Sequence, residues 1–189
     1  MSRWEPGALG RLEKAALELF VEDGYEQTTV AEIAARAGVT ERTFFRYFTD
    51  KREVLFGGGH ELEEHVVGLV TGAPVGTAPF DAIASAFEAT ARDFFADRQS
   101  YARQRQAIIN SSPDLQEREL LKLAALTAAL ARALAGRGVG EPTASLAAES
   151  GVTVFKTSFP RWVSEGNEKD LSQIIKETFA ELKAVVTRA

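Results

Sequence analysis

Between Leu9 and Phe48 the chain cuts itself into three short helices, and this punctuation limits the possible folds more than any other feature. Leu9, Leu12, Ala16, Leu19 and Phe20 follow the three-four spacing of one buried helix face. Gly24, after Asp23, is the natural left-handed stop for that helix. Thr29 then offers a hydroxyl to an opening turn, and Glu32 stands three residues on, the spacing of a capping box. Val30, Ile33, Ala34 and Ala37 supply the apolar side of a second helix, which Gly38 breaks. Thr40 is placed as N-cap of a third, with Thr43-Phe44-Phe45-Arg46-Tyr47-Phe48 as its body. Thr49-Asp50 restarts the chain into a fourth helix from Lys51. Two short helices joined by a glycine-containing turn of about four residues make a helix-turn-helix unit, although other helical corners share that spacing.

Strand alternation is absent from the rest of the sequence, so the expected fold class is all-α. Gly72 to Pro79 reads as a linker, and Ser111-Ser112-Pro113 and Gly136 to Pro142 punctuate the remainder. Helices are expected over 80–98, 100–110, 113–136, 142–165 and 169–187, with a kink at Pro160. The division expected is a domain over 1–50 and a second over 51–189.

The net charge of -5 speaks against a protein whose whole surface binds nucleic acid. It leaves room for one basic patch: Arg36, Arg42, Arg46, Lys51 and Arg52 are opposed locally only by Glu41 and Asp50. The chain has no cysteine, which excludes disulfides, thiolate metal sites and a cysteine nucleophile. His60-Glu61-Leu62-Glu63-Glu64-His65 fails as a zinc motif, because its histidines are five apart and about 140° from each other on a helix. Gly57-Gly58-Gly59 lacks the Lys and Ser/Thr of a phosphate loop. No catalytic residues, cofactor or metal site are expected. Glu5, Arg11, Glu13 and Lys14 interrupt any apolar signal core, and no stretch reaches the ~18 apolar residues of a membrane span. A cytoplasmic protein with no membrane partner is expected.

The stretch from Leu12 to Leu55 resembles the TetR-type (tetracycline-repressor-like) transcriptional regulators. The resemblance is carried by Ala-Leu-Glu-Leu-Phe with Gly24-Tyr25, by Thr28 to Ala34, by Ala37-Gly38-Val39-Thr40, by Thr43 to Phe48, and by Lys51 with Glu53-Val54-Leu55. Phe44-Phe45 departs from the Leu-Tyr frequent there, so Phe45 has no hydroxyl for a phosphate. A recognition helix places its N-terminal residues at base edges, which puts Thr40, Glu41, Arg42 and Thr43 on the DNA together with Arg46. Arg42 has the donors to bind guanine O6 and N7. Tyr47 and Lys51 match family positions that touch the DNA backbone, and Thr29 can offer its amide and hydroxyl to phosphate. The competing reading is a solvated basic face.

The resemblance further implies that the second domain binds a ligand and dimerises. Phe80, Phe87 and Phe94 recur at seven residues with Ile83 on the same side, a stripe that suits either plain core or the wall of a pocket. The tentative pocket residues are Ile83, Phe87 and Phe94, with Arg103 and Gln104 as polar anchors. The last two helices would pair with their copies through Phe155, Phe159, Trp162, Leu171, Ile175, Phe179 and Leu182. The partners expected are double-stranded operator DNA, a small, largely apolar effector and a second copy of the chain. The function implied is a ligand-responsive repressor on a palindromic operator. A helical small-molecule-binding protein or enzyme that touches no DNA is the alternative. Gly57 to Gly59, placed inside the fourth helix, reads equally as a hinge or as a packing site.

Overall fold

The computed structural model describes residues 7–187. Those residues form α1 (Ala8–Glu22), α2 (Val30–Arg36), α3 (Glu41–Tyr47), a 3-10 turn (Arg52–Phe56), α4 (Gly59–Thr71), α5 (Pro79–Phe95), α6 (Gln99–Asn110), α7 (Pro113–Gly136), α8 (Thr143–Val163) and α9 (Leu171–Thr187). No strand occurs among the described residues. The helix ends obey the expected local chemistry. Gly24 and Gly38 take φ of 88° and 68°, where a side chain would be strained, and each ends a helix. Thr29 and Thr40 cap α2 and α3, and Thr29 with Glu32 completes the capping box. α8 runs through Pro160 to Val163, so the proline falls in its last turn.

The chain divides into two compact units, and they depart from the expected division at residue 50. One comprises the chain through Gly58 together with Gln104–Glu119, the other Gly59–Arg103 together with the chain from Leu120. In the first unit Leu12, Ala16, Leu19 and Phe20 of α1 pack with Ile33 of α2 and Phe44 and Phe48 around α3. Val54, Leu55 and Phe56 of the 3-10 turn and Ile108, Ile109 and Leu115 from the ends of α6 and α7 are buried in the same core. Polar contacts reinforce that assembly. Arg105 Nε donates to the Leu55 carbonyl at 2.6 Å, and its guanidinium lies 5.0 Å from the centre of the Phe56 ring. Arg118 pairs with Glu53.

The helix expected from Lys51 is therefore two elements, a 3-10 turn and then α4. Gly57 and Gly58 stand between them, and Gly59 is the first residue of α4. A Cβ on Gly57 would run into the Glu13 carboxylate and come within 3.2 Å of the Phe48 ring, so Gly57 has a packing role. Gly58 and Gly59 face open space.

In the second unit α5, α8 and α9 pack against one another and α4 packs on α5. A Cβ on Gly151 would collide with Ile83 and lie 2.7 Å from Phe87 Cε2, so α8 meets α5 at a glycine. Ile83 and Phe87 are accordingly core residues, while Phe94 is half-buried against the His65 ring at 4.9 Å. The residues expected at an interface through α8 and α9 fall into two groups. Phe159, Trp162, Leu171, Ile175 and Phe179 are all buried within the single chain, and Phe155 and Leu182 pack against the same core. Phe179 meets Phe80 of α5 edge-on at 5.4 Å. A side chain that α5 already covers has no surface left for a second copy.

Arg103 and Gln104 also differ from the expectation of paired pocket anchors. Arg103 donates to the carbonyls of Val163 and Ser164 at 2.7 and 3.1 Å, satisfying orphan acceptors at the end of α8. Gln104 is exposed.

Candidate nucleic-acid interface

α3 is built so that its two faces do different things. Thr40 accepts the Thr43 amide at 3.2 Å and opens the helix. Phe44 is fully buried and Phe48 nearly so, which anchors one face in the core of the first unit. On a helix of 3.6 residues per turn, Arg42, Phe45 and Arg46 fall in a sector of about 100° on the other side. Those three residues and Thr43 line one surface depression. Arg46 stacks over the Tyr47 ring at 4.9 Å and donates to its hydroxyl at 3.1 Å. Glu41 is exposed in the first turn.

The five cations of the sequence patch are not equivalent in three dimensions. Arg36 forks onto Glu22 at 2.9 and 3.3 Å, and that hydrogen bond holds the Glu22 carboxyl below its usual range. Arg52 is paired with Asp50 at 3.0 Å, whose carboxyl is likewise held low by the guanidinium. Arg42 and Arg46 have no carboxylate partner among the described residues. Within this patch, the guanidiniums without a carboxylate partner among the described residues are thus the two on the outward face of α3.

Lys51 turns inward. Its ammonium donates to the carbonyls of Tyr25 at 2.7 Å and Thr28 at 2.9 Å, and lies 4.2 Å from the centre of the Tyr25 ring. Two of its three donors are therefore spent holding the loop between α1 and α2. Sequence spacing carries no sign of this, because the partners are backbone oxygens 26 and 23 residues away. Thr29 is occupied as well: its amide and hydroxyl both donate to Glu32 Oε2 at 2.8 Å. The Thr29 amide is the main cause that lowers the Glu32 carboxyl. A phosphate at this helix start would have to displace that carboxylate.

Phe45 has no role on sequence grounds, yet the structure places it on the outer face, lining the same depression as Arg42 and Arg46. The signal that finds it is the helical period: with Phe44 and Phe48 in the core, residue 45 must face out.

Comparison with known proteins gives these features a family. Residues 12–56 match the family model for bacterial regulatory proteins of the tetR family, and residues 77–187 match that of the MftR C-terminal domain. The chain belongs to the TetR family. All eight expected DNA-contacting residues, Thr29, Thr40, Glu41, Arg42, Thr43, Arg46, Tyr47 and Lys51, lie within the matched N-terminal stretch of this TetR-family chain. Among its relatives, TcmR of Streptomyces glaucescens is 40% identical over 79 residues, which is 42% of this chain and 35% of TcmR. MftR of Mycobacterium tuberculosis, named for mycofactocin biosynthesis, is 27% identical over 132 residues, 70% of this chain and 66% of its own length. The fold is similar to that of Bacillus subtilis FadR, solved in complex with stearoyl-CoA. The TM-score is 0.62 at 19% identity, over 92% of this chain and 96% of FadR.

Proposed function

We propose that this TetR-family chain is a ligand-responsive, DNA-binding transcriptional regulator, a repressor that grips a palindromic operator as a homodimer. The observation that carries the proposal is the outward face of α3. An otherwise acidic chain leaves two guanidiniums without a carboxylate partner among the described residues on the one helix that the helix-turn-helix geometry directs at the major groove. In this reading Arg42 binds guanine O6 and N7, Arg46 and Tyr47 sit on the phosphate backbone, and Thr40, Glu41 and Thr43 border the base edges. Thr29 and Lys51 hold the start of α2 and the loop before it.

The second unit takes the effector, which we infer to be a small, largely apolar molecule. On α5, Phe94 is half-buried against the His65 ring, whereas Ile83 and Phe87 are packed into the core and would have to part from it to line a pocket. The FadR of Bacillus subtilis was solved with stearoyl-CoA, and that compound is the first probe to try. The second copy of the chain would meet outward residues of α8 and α9, where Leu146, Val185 and Val186 are exposed.

The test is selection of DNA fragments from a random pool by the purified protein, followed by binding measured across salt concentrations. A palindromic motif with affinity falling steeply as salt rises supports the proposal. Arg42→Ala should then lose about 1–3 kcal/mol and relax base preference at one position per half-site. Recovery of no enriched motif would refute DNA recognition and leave a helical small-molecule-binding protein.

A further inference from the structure

Phe44 and Phe45 are neighbours in sequence with opposite fates. Phe44 is fully buried, and Phe45 is 54% exposed. The Phe45 ring leans edge-on against Phe44, with centroids 5.4 Å apart, so its base is held by the core while its outer edge is in solvent. It shares its depression with Arg42, Thr43 and Arg46. A phenyl group in this position contributes little to the core and has no hydroxyl to donate to a phosphate. Exposed beside two guanidiniums that have no carboxylate partner among the described residues, it belongs to a surface whose charge suits a polyanion. The edges of base pairs in the major groove carry hydrogen-bonding groups and one apolar group, the C5-methyl of thymine.

From this geometry we propose that Phe45 is a specificity-determining residue that packs on the C5-methyl of one thymine in each operator half-site. The inference rests on the DNA-binding reading and adds to it a base and an atom. Arg42 and Arg46 next to it would hold the helix on guanine and phosphate, and the ring would fill the groove at the edge of that pair. Removing the methyl should cost what withdrawal of one such group from apolar contact costs, about fourfold in affinity per half-site.

The experiment uses the full-length protein and the site it enriches from a random DNA pool. Each thymine of that site is replaced singly by deoxyuridine, which keeps base pairing and removes only the C5-methyl. The wild type should lose about fourfold at one thymine of the half-site and stay unchanged at the others. Phe45→Ala, an exposed substitution whose fold is checked by circular dichroism and melting, should bind the thymine site less well and no longer distinguish deoxyuridine. Phe45→Tyr keeps the ring and should keep the discrimination. A wild type indifferent to every deoxyuridine overturns the inference while the regulator reading stands. So does a penalty that persists in Phe45→Ala. A wild type that enriches no site at all overturns both.

Discussion

Lys51→Met separates two roles that the sequence alone assigns to the same place. The substitution keeps most of the apolar stem and removes the ammonium. In the structure that ammonium donates to the Tyr25 and Thr28 carbonyls at 2.7 and 2.9 Å and faces the Tyr25 ring at 4.2 Å. Hydrogen bonds from a charged donor are worth ~1.5–3 kcal/mol each, and the cation–ring contact adds ~0.5–1 kcal/mol. The site is half-buried, so water can reach the freed carbonyls and restore much of that loss. A net destabilisation of about 2 kcal/mol follows, or a fall in Tm of about 4–8 °C at this chain length. The phosphate-contact alternative makes the opposite forecast: unchanged melting, and a slope of log K against log salt shallower by about 0.9 per half-site, about 1.8 for the dimer. Thermal melting of the free protein and salt-dependent operator binding are measured on the same preparation. An unaltered Tm with a slope reduced by about two would refute the inward role.

The close approach of α5 and α8 predicts that Gly151→Ala lowers stability by about 1–3 kcal/mol from overpacking, less about 1 kcal/mol gained in helix propensity. Pairing it with Phe87→Leu in a urea double-mutant cycle should recover part of the loss, and additive losses would show that the two sites do not touch. Phe179→Asp should unfold the chain rather than yield a folded monomer, since its ring is buried against Phe80; a native circular dichroism spectrum with monomeric sedimentation would return Phe179 to a dimer interface. Burial pushes the Tyr25 phenol up to about 12 from 10.0, so the folded state holds a proton that the unfolded state releases first. That contribution to stability is whole below about pH 10 and is lost as pH rises through about 12. In a Tyr47→Phe, Tyr101→Phe background, ultraviolet titration should find the remaining phenol still protonated at about pH 11, and ionisation centred near 10 would contradict the buried environment.

Structural decisions that close within a few residues are legible in the chain before any fold is known. The stop at Gly24, the capping box of Thr29 and Glu32, the cap at Thr40 and the span of α7 all depend on neighbours no more than about one turn away. The basic outward face of α3 is legible for the same reason, given Phe44 and Phe48 as its inward pair. The fate of an apolar stripe is different, because a stripe records that something covers it and not what. Leu171, Ile175 and Phe179 read in the sequence as a dimer seam, and the packing of α9 on α5 and α8 buries them within the single chain. Likewise Lys51 and Arg103 read as ligand-facing cations until the fold brings unsatisfied carbonyls to them from 23 or more residues away. Long cationic side chains go wherever the strongest acceptor lies, and the location of backbone acceptors at the ends of other helices is fixed by tertiary packing alone.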